Sequence, residues 1–226
     1  MTRIAALAPS GERLIMVMLP GAHQRGEEFV SRGMVAAAQA RERRLEVWIA
    51  APGLGAYLDA AVVPLLHDAL APARQAGARL WLAGLSLGGL GALEYARAHP
   101  AAVAGVLLVA PFLATRGAVA EISRAGGLAA WRPGSGGVSG AERSLLEWLG
   151  SARLDAPDVP AIHAGYGTMD RYAPTGRLLA QRLPPGRVVT ARGDHDWPTW
   201  QILWRRMLAI AAIRMVQSGV SPAGGT

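Results

Sequence analysis

The sequence contains no cysteine, no lysine and no asparagine. Without cysteine there is no disulfide, no thiolate nucleophile and no Cys-ligated metal site. Without lysine, all 23 basic residues are arginine; against 16 acidic residues they give a net charge of +7 and a pI near 11.1. That balance can signal nucleic acid, but the arginines are scattered apart from Arg41-Glu42-Arg43-Arg44 and Arg205-Arg206. No aromatic-interleaved basic stripe accompanies them, so a solvated surface and no nucleic-acid partner are expected. A long apolar run is also missing. The longest, Ala101 to Ala114, contains Pro111 and falls short of the roughly 18–20 residues a membrane span needs. The apolar stretch Ile4–Ala8 is too short for the core of a signal peptide. These absences predict a soluble, cytoplasmic protein without a membrane span.

What is present is a 226-residue chain that is 51% hydrophobic and 17% charged, suited to one domain with a substantial core. Short apolar runs alternate with longer amphipathic ones, which predicts a mostly parallel, doubly wound α/β sheet with helices on both faces. The expected strands are Arg13–Leu19, Leu45–Ala50, Arg79–Ala83, Val103–Ala110, Val159–Ala164 and Arg187–Ala191. Helices are expected over Glu27–Glu42, Leu58–Gln75, Leu87–His99, Thr175–Arg182 and Pro198–Val216. Between the fourth and fifth strands lies a segment of about 50 residues, far more than a simple crossover needs. It predicts a cap-like helical and loop insertion at about 112–158 within a single 1–226 domain, over the ligand-binding end of the sheet. Helices are expected near Ala118–Ala125 and Ala141–Leu149, with a Gly-Ser stretch at 133–137 between them. Trp131, Trp148 and Leu128 are placed to line a pocket from this insertion or to pack it onto the body. The last residues, 218–226, read as a frayed tail.

Gly84-Leu85-Ser86-Leu87-Gly88 is the most informative stretch. It lies between a strand-like run and a helix-like run. A serine at that junction sits on a turn too tight for ordinary residues two places either side, and its hydroxyl is pushed out at the strand's end. Ten serines and 28 glycines in 226 residues give about 0.15 such motifs by chance, so context has to decide. The following helix aims its first N–H groups at negative charge developing near Ser86.

A serine hydroxyl needs a base. Of five histidines, His195 stands out, in Gly193-Asp194-His195-Asp196-Trp197-Pro198 between the last strand and the last helix. That is the carboxyl end of the sheet, where Ser86 also lies. His163 falls inside a strand, His67 inside a helix and His99 at a helix end, so these three read as structural. A neutral imidazole can serve as base and then acid. It needs a carboxylate to fix its tautomer. Asp170 follows a strand at the correct end. Asp155 and Asp158 precede that strand, and Asp194 and Asp196 adjoin the histidine too closely to reach Nδ1. Oxyanion donors are expected from the N–H of Leu87 and of Ala22, in the loop Leu19-Pro20-Gly21-Ala22-His23. His23, and Tyr57 on a loop after Gly53-Leu54-Gly55, are candidate substrate contacts.

The order Ser86, Asp170, His195 on alternating strands and helices resembles the α/β-hydrolase fold over nearly the whole chain. Gly193-Asp194-His195-Asp196-Trp197 is similar to the G-x-H-x-W ending of small bacterial serine esterases of that fold, and Pro20-Gly21-Ala22 to the family's H-G oxyanion turn. Leu19-Pro20 stands where His is often found. The family commonly begins with extra antiparallel edge strands, of which only Ile4–Ala8 precedes Arg13. The resemblance implies a serine hydrolase that cleaves a small-molecule carboxylic ester or thioester through an acyl-enzyme, with no metal and no organic cofactor. The alternative is a non-catalytic protein of the same fold that binds a small apolar ligand in the same pocket.

Overall fold

The structure, a computed structural model, describes residues 1–8, 11–133 and 140–211. Among the described residues seven strands form one sheet: β1 (Thr2–Ile4), β2 (Leu14–Leu19), β3 (Leu45–Ile49), β4 (Arg79–Leu85), β5 (Val103–Val109), β6 (Ala161–Gly167) and β7 (Val188–Ala191). Their order is β1-β3-β2-β4-β5-β6-β7. Only β1 is antiparallel, pairing with β3 at the edge; every other pairing is parallel. The single antiparallel strand begins and ends earlier than Ile4–Ala8. A sheet covered on both faces needs strands apolar on both sides. β2 shows this at every residue: Ile15, Val17 and Leu19 enter one core, while Leu14, Met16 and Met18 enter the other. All six are fully buried, each worth about 1.5–3 kcal/mol of apolar transfer for a side chain of this size.

Helices α1 (Glu27–Ser31), α2 (Met34–Arg41) and α10 (Trp197–Ile210) bury Phe29, Met34, Val35, Trp200, Leu203 and Trp204 on one face. The other face is covered by α4 (Val62–Ala69), α5 (Ala71–Gln75), α6 (Leu87–Ala98), α7 (Arg116–Arg124), α8 (Gly140–Ser151) and α9 (Ala173–Ala180), with α3 (Gly53–Leu58) packed beside them. Two continuous helices expected from periodicity are broken. Glu27–Glu42 divides at Gly33, whose φ of 73° ends α1, with Arg32 N–H and Gly33 N–H turned back onto the carbonyls of Glu28 and Val30. Leu58–Gln75 divides into the end of α3, then α4 and α5, because the chain turns at Asp59-Ala60-Ala61; Ala60 has φ 54°. Apolar spacing survives both turns, which is why the pattern alone does not show them.

Segment 112–158 carries α7 and α8, the two helices expected there. Ile122, Leu128, Trp131, Leu145, Leu146 and Leu149 join the core that α6 covers. The Gly-Ser stretch from 134 onward, residues 212–216 of the expected last helix and the tail lie outside the described residues. Among the described residues no helix is long and apolar enough to cross a membrane.

His163, on β6 beside Leu107 of β5, is buried and its Nδ1 has no partner among the described residues. Burial pushes its imidazole down to about 4, with Arg187 adding to the effect. A base lowered from its ordinary 6.5 must be charged to follow the unfolded chain into acid. The corresponding stability is complete above about pH 6.5 and is lost as pH falls toward 4, by at most about 3 kcal/mol. Melting curves from pH 7 to 4 are therefore expected to fall less steeply for His163→Leu than for the parent. Identical slopes would show that His163 does not titrate on unfolding.

Candidate active site

β4 delivers Ser86 directly into α6, and the turn between them is strained. Ser86 has φ 50° and ψ −115°, a conformation costly for a residue with a Cβ. The strain is held by three hydrogen bonds: Ser86 N–H donates to Val109 O at 2.9 Å, and Ser86 O accepts from Gly89 N–H at 2.9 Å and Phe112 N–H at 3.0 Å. The flanking glycines serve close approach. A Cβ on Gly84 would lie 2.5 Å from Gly88 C and Gly89 Cα; one on Gly88 would strike Leu19 O and lie 2.7 Å from Pro20 O. These neighbours are backbone atoms of the first turn of α6 and of the chain leaving β2, which cannot swing aside. Gly88→Ala is accordingly expected to cost about 3 kcal/mol or more and to shift Ser86. Chemical denaturation checks the first effect; a stability within about 1 kcal/mol of the parent would contradict the packing.

A serine in the N-cap position ordinarily accepts a hydrogen bond from its own helix. Ser86 makes no such cap. Its Oγ lies 3.0 Å from His195 Nε2 instead, across 109 residues of sequence. His195 Nδ1 lies 2.7 Å from Asp170 Oδ2. Asp170 is held in turn by Tyr172 N–H, which donates to Oδ1 at 2.7 Å, and its side chain is only 1% exposed. An ionised carboxylate only accepts, so Nδ1 carries the proton and Nε2 turns its lone pair to the serine. The imidazole is clamped edge-to-face between Tyr172 and Trp200, at 4.9 and 5.0 Å between centroids. The two neighbouring aspartates have other work. Asp194 Oδ1 accepts from His195 N–H at 2.7 Å, fixing the loop. Asp196 Oδ1 caps α10 by accepting from Thr199 N–H at 3.0 Å, and bonding to Thr199 holds its carboxyl below the usual range.

A cleft of about 350 Å³ opens over this row. Ser86, Leu87, Ala22, His23 and His195 all line it. Among the described residues neither Ala22 N–H nor Leu87 N–H donates to a protein acceptor, and Leu87 stands at the positive end of the twelve-residue α6. Leu54, Gln24, Phe112, Arg171, Tyr172 and Trp200 complete the lining. Sequence reasoning passes over these six as site residues, although Arg171-Tyr172 directly follows Asp170 and Trp200 sits in the first turns of the helix after His195.

Three candidate contacts lie elsewhere. Tyr57 is in α3 and not on a loop; its hydroxyl is buried against Gly91 without a partner among the described residues, and burial pushes its phenol above the ordinary range. Trp131 is buried and donates through Nε1 to Glu121 Oε1 at 2.8 Å. With Leu128 it borders a separate cavity of about 400 Å³. Trp148 packs against the core under α8. Both tryptophans belong to or pack against the core on that face of the sheet, and neither lines the cleft over Ser86. Among the described residues, no group of three or more His, Asp or Glu is placed to hold a metal ion.

Comparison with known proteins agrees with this architecture. The model of the Esterase family, described as "Putative esterase", matches residues 10–210. A search of curated proteins gives no match. Among solved structures, the S-formylglutathione hydrolase FrmB of Staphylococcus aureus is 16% identical with a TM-score of 0.58, covering 91% of this chain and 82% of that one. The monoacylglycerol lipase of Paleococcus ferrophilus is 17% identical with a TM-score of 0.56, covering 93% and 99%. MPT51 of Mycobacterium tuberculosis is 20% identical with a TM-score of 0.59, covering 91% of each. At these identities the likeness is one of fold, the seven-stranded, mostly parallel sheet with helices on both sides.

Proposed function

Because the chain belongs to the Esterase family, we propose that it cleaves a carboxylic ester or thioester with Ser86 as nucleophile, His195 as base and Asp170 as the orienting acid. The observation that carries this reading is the unbroken row from Ser86 Oγ through the His195 ring to Asp170, at 3.0 and 2.7 Å, reaching a serine on a strained turn.

Ser86 Oγ attacks the acyl carbon while its proton passes to His195 Nε2. Asp170 Oδ2, accepting from Nδ1–H, stabilises the imidazolium as it forms. Charge builds on the former carbonyl oxygen, where the free N–H groups of Leu87 and Ala22 and the positive end of α6 stabilise it. The intermediate collapses as Nε2–H protonates the departing alkoxide or thiolate, leaving an acyl-enzyme on Ser86. Water then attacks that ester, again with Nε2 as base, and the carboxylic acid departs. Each oxyanion donor in such a site is worth about 2.7–4 kcal/mol in the transition state. Tyr172 and Trp200 limit how far the imidazole can turn between the two proton transfers.

The test is turnover of an acyl-chain series on matched oxygen-ester and thioester leaving groups. Saturable, burst-forming hydrolysis at some chain length is expected, with the preferred length reporting the reach of the cleft. A protein that binds short acyl compounds but turns over neither series would be a binding protein with an idle serine.

A further inference from the structure

A second cavity, of about 470 Å³, lies between α7 and the start of α9 and shares two walls, Arg171 and Tyr172, with the cleft over Ser86. Its floor is apolar, with Ala114, Val119 and Pro174. Its charged residues are Arg116, in the first turn of α7, and Arg171, and the two cavities have no aspartate or glutamate in their linings. Neither guanidinium has an ion-pair or hydrogen-bond partner among the described residues; Arg171 rests only over the Tyr172 ring, at 5.0 Å. Glu142 is engaged by Thr115 N–H at 2.9 Å and lines neither cavity. Asp170, next to Arg171, is buried and given over to His195 and Tyr172 N–H. Thr175, itself 2% exposed, also lines the second cavity, and its hydroxyl has no partner among the described residues.

We propose that this second cavity binds the anionic end of the substrate: an ester with an apolar arm that terminates in a carboxylate, received by Arg116 and Arg171. The inference rests on the hydrolase reading above and adds the substrate class. Two forked cations without counter-ions beside an apolar floor match a carboxylate on a hydrocarbon arm in both shape and charge. A neutral acyl chain would leave both guanidiniums unused. The overall charge of +7 favours encounter with such a substrate. The carboxylate can belong to the acyl half or to the leaving group, since either can extend from Ser86 toward Tyr172.

Both sources are tested together. One arm uses p-nitrophenyl hemi-esters of the dicarboxylic acids from succinate to sebacate, each against its methyl-capped neutral counterpart. The other uses fatty acyl esters of p-hydroxybenzoate against those of its methyl ester. The quantity read is the ratio of kcat/KM for the anionic over the neutral form. At one length in at least one arm, the ratio is expected to exceed unity for the native protein and to fall about tenfold or more in Arg116→Gln, and further in Arg116→Gln/Arg171→Gln. Arg116→Lys is expected to fall between, and added salt to lower the native ratio but not that of the double variant. Ratios that stay within about twofold of native at every length in both arms overturn the proposal while leaving ester hydrolysis intact. Absence of turnover of all forms would instead overturn the hydrolase reading. In that event titration calorimetry of the hemi-esters into Ser86→Ala, with and without Arg116→Gln, still reads the contact: equal affinities reject it, and a weakening of about tenfold retains it.

Discussion

Ser86→Ala is expected to lower kcat for p-nitrophenyl esters by about 10⁶ while leaving the protein folded. The size follows from the loss of the attacking atom itself; what remains is orientation of substrate in the cleft and the N–H groups of Leu87 and Ala22, which act on a water only weakly placed. Folding is expected to survive because the turn is held by backbone bonds to Val109, Gly89 and Phe112, none of which uses the hydroxyl. Among the described residues, the only hydrogen bond the side chain loses is the one to His195. Thermal melting should therefore stay within a few degrees of the parent, or rise, since such a site carries strain for function rather than for stability. A variant that keeps about a tenth of the parent's kcat would assign the chemistry to another group.

Asp170→Asn is expected to cost about 10⁴ in kcat, far more than Asp194→Asn or Asp196→Asn. An amide at position 170 can present NH₂ to His195 Nδ1 and so favours the tautomer with its proton on Nε2, which cannot accept from Ser86. It also removes the negative charge that stabilises the imidazolium. The other two substitutions keep the roles seen in the structure. In Asp194→Asn the side-chain carbonyl oxygen would still accept from His195 N–H, and in Asp196→Asn the amide caps α10 about as well as the carboxylate does. Steady-state kinetics on the three variants, with circular dichroism to verify folding, separates them. Equal losses at Asp170 and Asp194 would move the acid to the neighbouring loop.

The parts of this site legible in the sequence are those with strict local rules. Gly84 and Gly88 are dictated by backbone contacts that tolerate no Cβ, so the string G-x-S-x-G carries geometric information. Strand residues buried on both faces form continuous apolar runs, which locates the carboxyl ends of β4 and β6 and with them Ser86 and Asp170; β7, a half-buried edge strand, is located by the short β-branched run just before His195. What is not legible depends on side chains meeting across elements. Tyr57 has the composition of a substrate contact, yet α3 turns its hydroxyl into the protein beside α6. Trp131 and Trp148 lie in the long segment between β5 and β6, yet both side chains pack into or against the core and neither lines the cleft over Ser86. Arg171 reads as one of many scattered arginines; only the folded chain sets it on the wall between two cavities. Helix breaks at Gly33 and Ala60 escape for a related reason, because apolar spacing continues through turns made by positive φ.

The most direct test of the account is covalent capture of the nucleophile. The native protein is treated with a fluorophosphonate probe at neutral pH, and the modified peptide is identified by mass spectrometry. The account predicts one adduct, on Ser86, formed at a rate that drops by orders of magnitude in His195→Ala and absent in Ser86→Ala. A native protein that stays unlabelled where a control esterase reacts, or an adduct on any of the other nine serines, would contradict it.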